Sequence, residues 1–292
     1  MERSVTELLG GGLKPNEPRR FLLEAMIGAM YADGEADARE TAVLEHRLAQ
    51  HPLFHGLGPA ARTLIDLATD AIRYAANAAS RTPAIAKGLP ARIHRLAAYA
   101  LAAEIVVADQ SLHANEAAYL EALRIALRIT HQETTEIMQA ATGGWIGQYL
   151  EGVYVRVKAL MPHVCEVFTL RALMRNQLHE QHRLRLREFF DAIPDLMVND
   201  TDAELLRAFQ APRSPTALTL DELVAVASRI PDYADRYWVM IYALIAEDPV
   251  KVQQWRIRPF TRVMQTAFRF GDPEMELAVG DALTFPAALP RP

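Results

Sequence analysis

Apolar residues recur every three or four positions along almost all of this 292-residue chain, and that period admits one class of fold. Phe21, Ala25, Met26, Ala29 and Met30 form one such stripe. Leu64, Leu67, Ala68, Ala71 and Ile72 form a second, and Tyr99, Ala102, Ile105 and Val106 a third. This is the pattern of helices with an apolar face. No run of alternating β-branched residues bounded by turn residues occurs, so strands are not expected. Alanine is abundant, which favours helix and lets helices approach closely. Ser4-x-x-Glu7, Thr130-x-x-Glu133, Thr201-x-x-Glu204 and Thr219-x-x-Glu222 fit the capping box, and Asp248-Pro249 and Asp272-Pro273 put a capping Asp before a Pro. Gly10-Gly11-Gly12, Gly56-Leu57-Gly58-Pro59, Thr142-Gly143-Gly144 and Pro212-Arg213-Ser214-Pro215 break the runs. The expected fold is all-α, a multi-helix bundle.

A chain of this length holds one large core or two medium ones. The Gly143-Gly144 break falls near its middle and predicts two helical units. The expected organisation is an N-terminal segment 1–17, a helical domain 18–142, a second helical domain 143–283 and an extended or frayed tail 284–292. A shift of 138 residues lays Tyr99-Ala100-Leu101 on Tyr237-Trp238-Val239, Ala108-Asp109 on Ala246-Glu247 and Arg124 on Arg262. The second half therefore reads as a diverged copy of the first, with a chance match of two amphipathic patterns as the competing explanation.

The formal net charge is −5, so no global basic field points to nucleic acid. Cys165 is the single cysteine. It excludes an internal disulfide and thiolate-rich zinc sites, and beside Val164, Val167 and Phe168 it reads as a buried thiol. The start lacks the form of a secretory signal, and the longest apolar stretch, Leu96 to Ala103, is far short of the ~20 residues of a membrane span. The expected location is cytoplasmic, with peripheral membrane contact left open.

Two stretches carry nearly the same acidic signature. Asp33 closes one apolar helical run and Glu40, seven residues on, opens the next. Asp109 and Glu116 repeat this 76 residues later. Asp33-Gly34-x5-Glu40 matches the second half of a calcium EF-hand loop, but the earlier ligand positions would be Ala29 and Tyr31, or Ile105 and Val107, which excludes a normal EF-hand. A composite site is the alternative. If the two hairpins pack together, Asp33, Glu40, Asp109 and Glu116 supply oxygens for a calcium-like or other divalent cation, with Asp37 or Glu35 as a fifth. Helix capping competes with this. Gly34 suits the residue after a helix, and an acid in the first turn of a helix is stabilising by ~0.3–1 kcal/mol with no metal present.

The segments Ala29-Met30-Tyr31-Ala32-Asp33-Gly34 to Glu40 and Val107-Ala108-Asp109 to Glu116-Ala117-Ala118-Tyr119-Leu120 resemble the tellurite-resistance TerB-like family, over about residues 18 to 141. That family's pattern is a helix ending in Ala-Asp-Gly followed by a Glu, repeated once. The resemblance implies a compact helical bundle in which Asp33, Glu40, Asp109 and Glu116 gather at a divalent metal, Gly34 allows the turn, and the protein serves in tellurite or general chemical-stress responses. Gln110 in place of the second Gly and the stretch from Ala60 to Leu89 depart from the pattern.

Arg171, Arg175, His179, Arg183 and Arg187 recur every fourth residue. On one helix they would form a stripe able to bind phosphate groups, an acidic partner or anionic lipid, or simply a solvated face. His179 and His182 lack a third metal ligand, and His46, His51 and His55 sit near a helix end. No nucleophile elbow, phosphate-binding loop, zincin motif or di-iron signature occurs. The expectation is a non-enzymatic stress-response protein that holds a divalent cation and recruits protein partners, in unspecified oligomeric state and without nucleic acid. The alternative is a metal-free interaction scaffold using the arginine stripe or an apolar groove.

Overall fold

The computed structural model describes residues 18–34, 38–50, 54–58, 60–108, 112–197, 200–211, 219–286 and 289–292. Ser4, Glu7, Gly10-Gly11-Gly12 and the Pro212–Pro215 break lie outside them. Among the described residues the fold is all-α, with no strand. The chain divides into two compact units, Met1–Tyr154 and Val155–Pro292. The division falls inside the helix that follows Gly143-Gly144, because Gly144 (φ 73°) turns the chain but the next helix, Ile146–Ala159, runs on without a break.

The first unit contains α1 (Pro18–Met30), α2 (Ala38–Gln50), α3 (Ala60–Arg73), a 3-10 turn (Ala78–Arg81), α4 (Thr82–Gly88), α5 (Arg92–Val106), α6 (Ala114–Leu127) and α7 (His131–Thr142), and the start of α8 (Ile146–Ala159). α1 and α5 are its central pair. Leu22 through Met30 are all buried on α1, and all of α5 except Ile93 and Glu104. A helix covered on every side is a core element. α1 carries one buried carboxylate, Glu24, wholly enclosed; Arg20 Nε (3.0 Å) and Arg81 Nη2 (2.8 Å) each hold one of its oxygens. Without both partners this carboxylate would be an unpaired charge in an apolar core. α3 is amphipathic, with Leu64, Ala68 and Ile72 turned inward on α1.

Small residues set the approach of the helices. Gly28 leaves room for Tyr119, whose hydroxyl would stand 2.3 Å from a Cβ there. That hydroxyl donates to Ala25 O at 2.9 Å, and its pKa is pushed far up by burial. The 76-residue shift holds in three dimensions. It carries the last residue of α1, Met30, onto the last of α5, Val106, and the first of α2, Ala38, onto the first of α6, Ala114.

The second unit takes up α8 from Val155 and contains α9 (Met161–Met174), α10 (Glu180–Asp191), α11 (Thr201–Gln210), α12 (Thr219–Ser228), α13 (Tyr233–Ile245), α14 (Pro249–Gln253), a 3-10 turn (Trp255–Ile257), α15 (Pro259–Phe268) and α16 (Asp272–Ala282). Its helices pair as those of the first unit do. α9 packs on α11, α12 and α13 as α1 packs on α3, α4 and α5. α12 meets α15 as α4 meets α6, and α13 meets α15 and α16 as α5 meets α6 and α7. The second helices differ: α2 lies on α1 and α5, whereas α10 lies on α11. The core is aromatic around Phe168, Phe189 and Phe190, with ring centroids 5.1 to 5.8 Å apart. Phe285 is buried in it and Leu289 packs against it, so the tail touches the core at these two residues.

Capping follows the sequence in places. Thr130 and Glu133 form the reciprocal box, and Asp248 caps α14 through Val250 N (2.9 Å). Asp200, not Thr201, caps α11, and Gly271, not Asp272, precedes α16. Gly28→Ala is expected to cost about 1–3 kcal/mol, because buried Tyr119 must move. Gly280→Ala, with open space around it, is expected to be neutral or stabilising. Urea unfolding of the two variants checks the contrast.

Candidate functional site

The helices that flank the two acidic turns touch each other in the first unit. Gly28 is in the last turn of α1, just before the first acidic turn. Tyr119, which packs on it, is in the second turn of α6, just after the second acidic turn. The reciprocal contact comes from Glu104 in the last turn of α5, gripped in a bidentate pair by Arg47 of α2 (Nε to Oε2, 2.6 Å). The ends of both central helices are thus tied to the other hairpin.

The predicted ligands divide by environment. Gly34 adopts φ 101°, a left-handed turn open to a residue without Cβ, and Asp33 beside it is exposed. Glu40 and Glu116 occupy the same position, the third residue of α2 and of α6, and both are buried, at 5% and 3% exposure. Glu116 Oε2 accepts from His113 N at 2.7 Å, so this carboxylate finishes its own helix. Asp109 lies outside the described residues, as do Glu35 and Asp37. Among the described residues no group of three His, Cys, Asp or Glu is gathered so as to hold a metal ion. The donors are all carboxylate oxygens, which suit a hard cation rather than zinc or copper.

The basic ladder is not one stripe. α9 ends at Met174, Asn176 turns left-handed (φ 53°), and α10 starts at Glu180. Each predicted member has its own partner. Arg171 is buried against the end of α13, and Arg175 pairs with Glu247. His179 Nδ1 caps α10 by accepting from His182 N (3.2 Å). Arg183 bridges Glu180 and Asp202, and Arg187 lies 3.8 Å from Asp191. A step of four suggested one face, but Asn176, a residue that tolerates the left-handed cap, was the sequence signal for a break.

Other reactive groups serve packing. Cys165 is buried and its thiol pKa is pushed up by burial. Lys158 donates to Pro194 O (3.2 Å), and burial lowers its ammonium pKa to about 8. A cavity of about 220 Å³ in the second unit is lined by Glu166, Leu170, Glu222, Val226 and Arg229, with Arg229 paired to Glu166. No helix among the described residues is long and apolar enough to cross a membrane. The chain matches no protein-family model, no curated protein and no solved structure.

His182, buried on α10, was passed over by sequence reasoning except as a weak metal candidate. Its Nδ1 has no hydrogen-bond partner in the structure. Burial, then Arg185, Arg171, His179 and Arg175, lower its pKa to about 4. The folded form therefore binds fewer protons than the unfolded one. Its contribution is complete above the unfolded value near 6.5 and is lost as pH falls from there towards 4. Wild type is expected to lose more stability over that window than His182→Gln does. Denaturant unfolding of both forms between pH 7 and pH 4 checks it.

Proposed function

We propose that the chain is a non-enzymatic, TerB-like stress-response protein. In this reading the first unit holds a divalent cation between its acidic turns, through Asp33, Glu40, Asp109 and Glu116, and presents the ordered surface to protein partners. The observation that carries the reading is the Tyr119–Gly28 contact, which ties the helix before the first acidic turn to the helix after the second. The second unit lends support. There the residues just beyond the two central helices, Arg175 after α9 and Glu247 after α13, form an ion pair. The corresponding turns of the first unit carry Asp33 and Asp109, and two acids brought near each other would favour a counter-cation. Calcium or another hard divalent ion fits an all-carboxylate set. A link to tellurite follows from the family resemblance alone.

A metal-free scaffold is the second reading, and the cap from Glu116 to His113 N favours it. The arginine stripe drops out of that reading because its members are spent on internal pairs. Exposed apolar side chains remain, such as Leu67 on α3 and Tyr74 just after it.

Thermal unfolding of the full chain with millimolar calcium, magnesium or manganese separates the two. A cation that binds only the folded chain adds about 2.7 kcal/mol at a hundred times its Kd. A rise in Tm that Asp33→Asn or Glu40→Gln abolishes, and that the exposed control Asp66→Asn keeps, supports the metal reading. The absence of any rise with all three ions leaves the scaffold.

A further inference from the structure

The C-terminal end of α13 forms a buried cup of oxygens that already contains a cation. Arg171 reaches it from the last turn of α9. Its Nη1 donates to Ala243 O (3.3 Å), its Nη2 to Ala246 O (3.3 Å), and Nη2 also meets Glu247 Oε1 at 2.9 Å. Arg171, Ala243, Ala246 and Glu247 are each less than a tenth exposed. Phe168 covers one face of the guanidinium, 5.9 Å from its Cζ, and Arg175 closes the outer side on the same Glu247 oxygen.

One carboxylate and two main-chain carbonyls are the donor types that hard cations take. The carbonyls also belong to the negative end of a helix dipole. Burial lowers the Arg171 pKa only to about 10, so the side chain stays charged at neutral pH. A planar guanidinium suits this cup because its fork reaches several oxygens together, which an ammonium cannot do. In the first unit the residue at the same distance from the end of its central helix is Ile27, which brings no charge.

We propose that the cup at the end of α13 is a cation site whose occupant is the chain's own Arg171, and that a chain lacking this side chain takes a small external cation, guanidinium being the best-shaped, in its place. The inference stands on the second unit alone and does not depend on a divalent ion in the first.

The test uses the full chain with Arg171 replaced. Arg171→Ala leaves Glu247 with Arg175 alone and takes the guanidinium from the two carbonyls, and the folding equilibrium is expected to fall by roughly tenfold or more. Millimolar guanidinium chloride then raises the Tm of Arg171→Ala in a saturable manner, while wild type and an equal concentration of sodium chloride show no rise. Arg171→Ala/Glu247→Gln is expected to regain part of the lost stability and to lose the rescue, since the carboxylate that holds the cation is gone. Arg171→Lys and Arg171→Met make a second comparison that does not need the alanine variant to fold. A cation site requires the lysine variant to be the more stable of the two. Failure of guanidinium to rescue a folded Arg171→Ala chain, or a methionine variant as stable as the lysine one, overturns the proposal.

Discussion

The central helices of each unit are apolar along most of their length, and both units place charge in the turns that follow them. α1 and α5 in the first unit, and α9 and α13 in the second, carry most of the apolar contacts of their cores. Each fully buried Leu, Ile or Phe on them adds ~1.5–3 kcal/mol relative to exposure. Charge buried on these helices needs partners, and Glu24 has two, Arg20 and Arg81. Charge is therefore pushed to the turns that follow them. The second unit neutralises one such turn internally with Arg171, Arg175 and Glu247. The first unit has acids after both central helices, which is the physical basis for the cation reading.

The pairing of helices is alike in the two units, and the difference between them is concentrated in the second helix. α2 lies across α1 and α5 and starts with buried Glu40; α10 lies on α11 and has buried His182 at the corresponding third position. The first unit has an acid at this position and the second a histidine.

Much of this was legible in the residues. The helical class followed from the three-and-four spacing, and the doubled hairpin from the Asp33/Glu40 and Asp109/Glu116 signature, whose 76-residue register the helix termini reproduce. Thr130-x-x-Glu133 and Asp248-Pro249 named true caps, because those interactions are local. Errors came where local rules compete. Arg171 to Arg187 looked like one stripe because a step of four is blind to the left-handed turn at Asn176. The prolines of the tail said nothing of Phe285, whose burial depends on a core assembled from distant residues. Glu116 illustrates the remaining ambiguity. A carboxylate at the third position of a helix is equally a cap and a ligand in sequence, and the structure assigns one of its oxygens to His113 N.

The most direct test counts ions on the whole chain. Equilibrium binding of manganese, followed by calorimetry or by the loss of its free spectroscopic signal, is predicted to saturate at a single ion per chain, displaced by calcium and eliminated by Asp33→Asn. Saturation at two equivalent ions would contradict an internally neutralised second unit. Complete absence of binding would contradict the claim that the acidic turns of the first unit await a cation.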